Sequence, residues 1–201
     1  MLQKIDFAME SDRSCEPKGA RMLMQFGECL VELIQGDITQ IDTDAVVNAA
    51  NAQLAGGGGV DGAIHRAAGP QLMQETKRLY PNGCPTGSAV ATRAGNMRAE
   101  YVFHAVGPVW RGGGQDEESL LQSACERCLE LAMEHNCKSI AFPAISTGVY
   151  RFPVDLAAQT LLRTVHQHLI EHQQPLRVVF VLFDEGSFGA FSQMLESFSD
   201  S

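Results

Sequence analysis

Apolar positions along the chain fall into two alternating regimes. Short stretches in which every residue or every second residue is apolar occupy 22–26, 29–35, 45–50, 88–93, 100–106, 139–145 and 177–183, and these read as strands. Between them lie longer stretches with apolar residues three and four positions apart, which predict helices over 60–68, 70–79, 117–135, 153–172 and 187–198. Regular alternation of the two types implies an α/β sandwich. The run Val178–Phe183 is apolar at every position, as expected of a strand covered by helices on both faces. Ligands of such sheets bind beyond the carboxyl ends of the strands, which singles out the loops after Ala50, Ile145 and Phe183. Residues 1–21 carry no sustained period, and Pro17 and Gly19 would interrupt one. They are expected to form a loosely ordered extension, leaving 22–201 as a single domain.

Composition narrows the class. The 201 residues are 45% hydrophobic and 19% charged, which excludes an intrinsically disordered chain. Twenty-four Asp and Glu against fifteen Lys and Arg give a net charge of −9, which repels a phosphate backbone and argues against general nucleic-acid binding. No apolar stretch approaches the length of a membrane span, and the first residues, with Asp6, Glu10 and Asp12, lack the apolar core of a signal peptide. A soluble, cytoplasmic protein is expected. Its six irregularly spaced cysteines read as reduced thiols. Cys125 and Cys128 match the spacing of a metal or redox pair, but they share a helical apolar stripe with Leu121, Ala124, Leu129 and Ala132 and read as core residues.

Two loops carry candidate chemistry. The first runs from Asn48 through Asn51 to Gly56-Gly57-Gly58-Gly59-Val60-Asp61-Gly62, between a strand and a helix. Consecutive glycines let backbone N–H groups approach an anion closely and the helix adds its positive end, so a diphosphate is the natural guest. Gly57-x-Gly59-x-x-Gly62 also fits the dinucleotide fingerprint, which keeps a nicotinamide-dependent oxidoreductase open. Asp61 is awkward for a pure phosphate cradle, because its carboxylate would repel the ligand. It suggests chemistry or hydroxyl binding beside the phosphates, or a structural place in the first helical turn. The second loop, Ala144 to Pro153, again leaves a buried strand and enters a helix. It reads as a second phosphate loop. Ser146 within Ala144-x-Ser146-x-Gly148 also resembles a nucleophile elbow, with Asp155 and His166 or His168 completing a triad. Of the other histidines, His104 reads as a core residue, His65 as a packing or supporting neighbour of Asp61, and His168 with His172 as a solvated pair.

Taken in order, Gly36-Asp37-Ile38-Thr39, Asn48-Ala-Ala-Asn51, Gly57-Gly-Gly-Val-Asp61-Gly62, His65-Arg-Ala-Ala-Gly-Pro70, Gly107-Pro-Val-Trp110 and Ile145-Ser-Thr-Gly-Val-Tyr150 resemble a macrodomain. The similarity runs from about residue 22 to the last helix and points to the bacterial O-acetyl-ADP-ribose deacetylase branch, related to mono-ADP-ribosyl hydrolases. It implies a three-layer α/β/α sandwich with a central mixed sheet. It also implies ADP-ribose and its esters as ligands, with mono-ADP-ribosylated proteins as further partners, no cofactor and no metal. By this resemblance Asp37 and the Ile38 backbone would hold adenine and Phe183 would pack on it. Gly57, Gly58, Gly59 and Val60 would face Ser146, Thr147, Gly148, Val149 and Tyr150 across the diphosphate. Asn51 would orient the distal ribose, and Asp61 would position or deprotonate the attacking water. A module that binds ADP-ribose without turning it over is the alternative. Arg151 stands where many members of the branch carry glycine.

Overall fold

The computed structural model describes residues 19–172 and 176–198. Seven strands form one mixed sheet: β1 (Arg21–Phe26), β2 (Cys29–Gln35), β3 (Ala45–Ala49), β4 (Ser88–Arg93), β5 (Tyr101–Val106), β6 (Ser139–Phe142) and β7 (Arg177–Leu182). Their order across the sheet is β1-β2-β7-β6-β3-β5-β4. The five inner strands run parallel, and the two edge strands are antiparallel to their neighbours. Among the described residues five α-helices flank the sheet: α1 (Gly59–Ala68), α2 (Pro70–Leu79), α3 (Glu117–Glu134), α4 (Val154–His172) and α5 (Glu185–Ser197). Among the described residues no helix is long and apolar enough to cross a membrane.

Period-two alternation of the strands explains the layers. Val178, Phe180 and Leu182 pack with Leu121, Leu161 and Phe191 of α3, α4 and α5, whereas Val179 and Val181 pack with Ile64 and Leu72 of α1 and α2. Each strand between helical layers therefore needs apolar side chains on both faces, which is why the inner strands read as unbroken apolar runs. Cys125 and Cys128 are fully buried in the larger core, where burial pushes both thiols well above their usual pKa. They are core residues, as their helical stripe implies.

Several boundaries differ from expectation. Arg21, assigned by sequence to the loose extension, begins β1, and its guanidinium pairs with the buried Glu32 on β2 at 2.5 Å. Arg177 of β7 meets the same carboxylate through Nε and Nη2 at 3.0 and 2.8 Å, so three neighbouring strands are tied through one buried charge. Residues 1–18 of the expected extension lie outside the described residues. The apolar run 139–145 leaves the sheet after Phe142, because Pro143 has no N–H for a ladder bond. Helix α5 starts at Glu185, two residues early, since Asp184 caps it by accepting from the Ser187 N–H at 2.8 Å and Oγ at 2.9 Å. His168 is buried rather than solvated, its ring centroid 4.3 Å from that of His172 in a tilted pair, and burial lowers its pKa to about 4.

Candidate functional site

All five inner strands end on the same side, so their carboxyl ends line up loops that are far apart in sequence. Four inter-strand steps of about 4.8 Å separate β2 from β5, giving a groove on the order of 19 Å long. Asp37 and Ile38 follow β2, Phe183 follows β7, the 144–151 loop follows β6, Ala50 to Gly58 follow β3, and Gly107 follows β5.

At the β3–β6–β5 end the groove deepens into a cavity of about 250 Å³. Of the residues singled out by sequence, Asn51, Gly57, Gly58, Gly59, Val60, Asp61, Ser146, Gly148, Val149 and Tyr150 line it. Gly58 is the N-cap of α1 and offers no capping side chain, so the first N–H groups of that helix face the cavity without a side-chain acceptor. The opposite wall is a tight turn. Ser146 sits at φ +67° and Arg151 at φ +57°, and the turn closes through Arg151 N–H to Gly148 O at 2.9 Å and Phe152 N–H to Ser146 O at 3.0 Å. Arg151 thus holds a left-handed conformation that glycine adopts freely, at a cost of about 1 kcal/mol or more. Val149, 90% exposed, stands at the outer lip.

Thr147, Asp37, Ile38 and Phe183 lie outside the deep cavity. The Thr147 hydroxyl turns back to Ala144 O at 2.9 Å and stabilises its own turn. Asp37 and Phe183 end adjacent strands, joined by Gly36 N–H to Leu182 O at 3.0 Å. Asp37 accepts from Thr39 N–H and Oγ1 through Oδ1, at 2.9 and 2.8 Å, which fixes its carboxylate at the mouth of the groove. Phe183 is 85% exposed beside it, an apolar face open to a flat partner.

Asp61 occupies the first turn of α1 and is only 5% exposed. Its Oδ1 accepts from Asn48 Nδ2 at 2.6 Å and lies 3.4 Å from His65 Nε2, while Oδ2 is buried without a partner. A buried carboxylate oxygen with nothing to accept from is costly unless a ligand or water completes it. Oδ2 points towards the glycine loop: a Cβ built on Gly57 would lie 3.1 Å from it and 4.0 Å from Asn51 Nδ2. Asn51 folds its own loop, donating to Gly56 O at 2.9 Å and accepting from Ala55 N–H at 3.2 Å. The serine triad does not assemble. Ser146 Oγ is buried without a partner, Asp155 is exposed, and the His166 ring packs tilted against Phe26 and Phe198, both 4.8 Å away between ring centroids.

Sequence reasoning gave no role to Gly107 or Glu117. A Cβ on Gly107 would come within 2.2 Å of Ser146 Oγ and 2.7 Å of Ile145 Cγ2, so the β5 and β6 loops touch only because this residue is glycine. Glu117 accepts backbone N–H groups of Arg111, Gly113 and Gln115 at 3.0, 3.3 and 2.6 Å. Burial raises its pKa, but these bonds outweigh burial and hold the carboxyl below its usual value. The loop so gathered presents Trp110, whose backbone N–H donates to the Tyr150 carbonyl at 2.9 Å and whose ring packs on Phe152 at 4.8 Å, backing the second wall of the cavity.

Among the described residues no three His, Cys, Asp or Glu side chains converge as a metal site. The model of the Macro domain family matches residues 47–161. A macro domain-containing protein of Caldanaerobacter subterraneus subsp. tengcongensis is 52% identical over 168 residues, 83% of this chain and 95% of that protein. The O-acetyl-ADP-ribose deacetylase of Salmonella typhimurium is 51% identical over 172 residues, covering 85% and 96%. Among solved structures, the Oceanobacillus iheyensis macrodomain with ADP superposes with a TM-score of 0.86 at 38% identity, covering 92% of this chain and 99% of that one. The Trypanosoma brucei macrodomain in complex with ADP-ribose gives 0.76 at 38% identity, covering 82% and 68%.

Proposed function

The chain belongs to the macro domain family, and from that premise we propose that it binds ADP-ribose and hydrolyses esters on the distal ribose, O-acetyl-ADP-ribose among them. The observation that carries the reading is Asp61 Oδ2, buried and unpartnered at the end of the cavity, next to the free N-terminus of α1. Diphosphate lies between the α1 N-terminus and the 146–150 turn. Adenine then extends to Asp37 and Phe183, and the distal ribose reaches Asn51 and Asp61. Asp61 no longer faces a phosphate directly, which removes the electrostatic objection to an acid in this loop.

In the reaction, water attacks the acyl carbon of the ester, with Asp61 Oδ2 taking its proton. The tetrahedral intermediate collapses by breaking the acyl carbon–ribose oxygen bond. The ribose oxygen leaves with a proton as a hydroxyl, and the products are a carboxylic acid and ADP-ribose. Asn51 orients the ribose. The same arrangement suits the ester between ADP-ribose and an Asp or Glu side chain of a modified protein, since the outer lip of the cavity is open at Val149.

Binding tests the pocket independently of turnover. In calorimetry ADP-ribose is expected to bind clearly more tightly than AMP or intact NAD, because only ADP-ribose combines a diphosphate with an unblocked distal ribose. Asp37→Ala is expected to weaken it by about 1–2 kcal/mol, the loss of a charged hydrogen-bond partner. Equal affinity for NAD contradicts the placement.

A further inference from the structure

Asn48 on β3 and His104 on β5 are register partners in the parallel ladder. Both are polar residues in strands whose other positions are apolar, and both project towards α1. They form a chain: Thr92 Oγ1 lies 2.9 Å from His104 Nε2, His104 Nδ1 lies 3.2 Å from Asn48 Nδ2, and Asn48 Nδ2 lies 2.6 Å from Asp61 Oδ1. Thr92, His104 and Asn48 are all buried, and His104 is 1% exposed.

The donors and acceptors along this chain determine one another. The Asn48 amide nitrogen has two N–H bonds and faces two acceptors, Asp61 Oδ1 and His104 Nδ1. Nδ1 accepts only when it carries no proton, so a neutral imidazole here has its proton on Nε2, directed at the Thr92 hydroxyl. Burial, with a smaller effect from His65, lowers the His104 pKa to about 3 against a weaker opposing effect of Asp61, which keeps the ring neutral. The opposite arrangement puts the proton on Nδ1 and turns the Asn48 amide, so that its oxygen meets Asp61 Oδ1. That contact requires a proton on the carboxyl and removes Asp61 as an acceptor.

Building on the hydrolase reading, we propose that His104 and Thr92 are positioning residues for the hydrolysis: the Nε2-protonated imidazole, held by Thr92, fixes the Asn48 amide so that it donates to Asp61 Oδ1 and leaves Oδ2 to the attacking water. None of the three touches the substrate. Thr92 matters because it gives the Nε2 proton an acceptor. Without it the ring gains by moving its proton to Nδ1, where the turned Asn48 amide accepts it.

Long-range nitrogen–proton NMR of the full chain and steady-state kinetics with O-acetyl-ADP-ribose test this together. His104 in the wild-type protein is expected to show the Nε2–H tautomer. Thr92→Val, close to isosteric, is expected to shift the ring towards Nδ1–H and lower kcat by about 10–100-fold, on the order of what is lost when the outer hydrogen-bond partner of a metal-binding histidine is removed. Its Kd for ADP-ribose stays within about twofold, since the phosphate loops are untouched. Thr92→Ser restores the hydroxyl and is expected to recover most of kcat, which a purely structural role for Thr92 would not produce. An Nδ1–H or doubly protonated ring in the wild type overturns the proposal, as do a Thr92→Val enzyme with wild-type kcat or a loss that Thr92→Ser fails to recover. Those outcomes leave the hydrolase reading standing. A wild-type protein that hydrolyses no ester overturns that reading and this proposal with it.

Discussion

Replacing Asp61 with alanine is expected to lower turnover of O-acetyl-ADP-ribose by about 10²–10⁴-fold, the usual contribution of a positioned general acid or base. Binding of ADP-ribose should survive, because the diphosphate is held by backbone N–H groups at the α1 N-terminus and by the 146–150 turn, not by the Asp61 side chain. The substitution also takes an acceptor from Asn48 Nδ2 inside the protein, a cost of about 1–3 kcal/mol in stability. Asp61→Asn separates the two effects. Its amide oxygen can still accept from Asn48, so the fold is spared, yet it cannot take a proton from water. Loss of turnover in both variants, with ADP-ribose affinity retained by calorimetry, is the expected result; a wild-type rate in either contradicts the role.

Gly107→Ala is expected to weaken ADP-ribose binding and turnover by about tenfold or more without unfolding the protein. The added methyl would lie 2.2 Å from Ser146 Oγ and 2.7 Å from Ile145 Cγ2, far inside van der Waals contact. Ser146 is already held at φ +67°, so the added clash falls on a turn that is strained before the substitution and is expected to displace it. Overpacking of this kind costs about 1–3 kcal/mol, and about 1.4 kcal/mol equals a factor of ten in binding. Gly114→Ala is the matched control, because nothing lies within 4 Å of a Cβ there. Equal affinities for Gly107→Ala and the wild type would mean that the second wall plays no part in holding the ligand.

The fold was legible because inner strands covered on both sides must be apolar at successive positions, and Val178–Phe183 and Ala45–Val47 meet that requirement openly. The glycine loop was legible for a chemical reason: four consecutive residues without Cβ atoms imply a close backbone approach. What stayed hidden depends on register or on a single local bond. Thr92, His104 and Asn48 are 12 and 56 residues apart in sequence and meet only once β4, β5 and β3 are aligned. His104 read as a core residue because nothing in Tyr101–Val106 says which strand lies beside it. Nothing in the sequence singled out Glu117, which gathers three backbone N–H groups from the preceding loop. The short 3-10 turn Ile38–Gln40 rests on Asp37 and Thr39 alone, too few residues to set a period. Helix α5 began early for the same reason, through the single cap at Asp184.

The central claim is that this cavity hydrolyses an ester on the distal ribose of ADP-ribose and does so through Asp61. Its most direct test follows product release from O-acetyl-ADP-ribose, and in parallel from a protein carrying ADP-ribose on glutamate, with a chelator present and Asp61→Asn as the comparison. The account predicts one equivalent of acetate and one of unmodified ADP-ribose for each small ester consumed, free ADP-ribose from the modified protein, and rates for Asp61→Asn reduced by about 10²-fold or more. Tight ADP-ribose binding with no release above the rate in buffer, from either substrate, would contradict it.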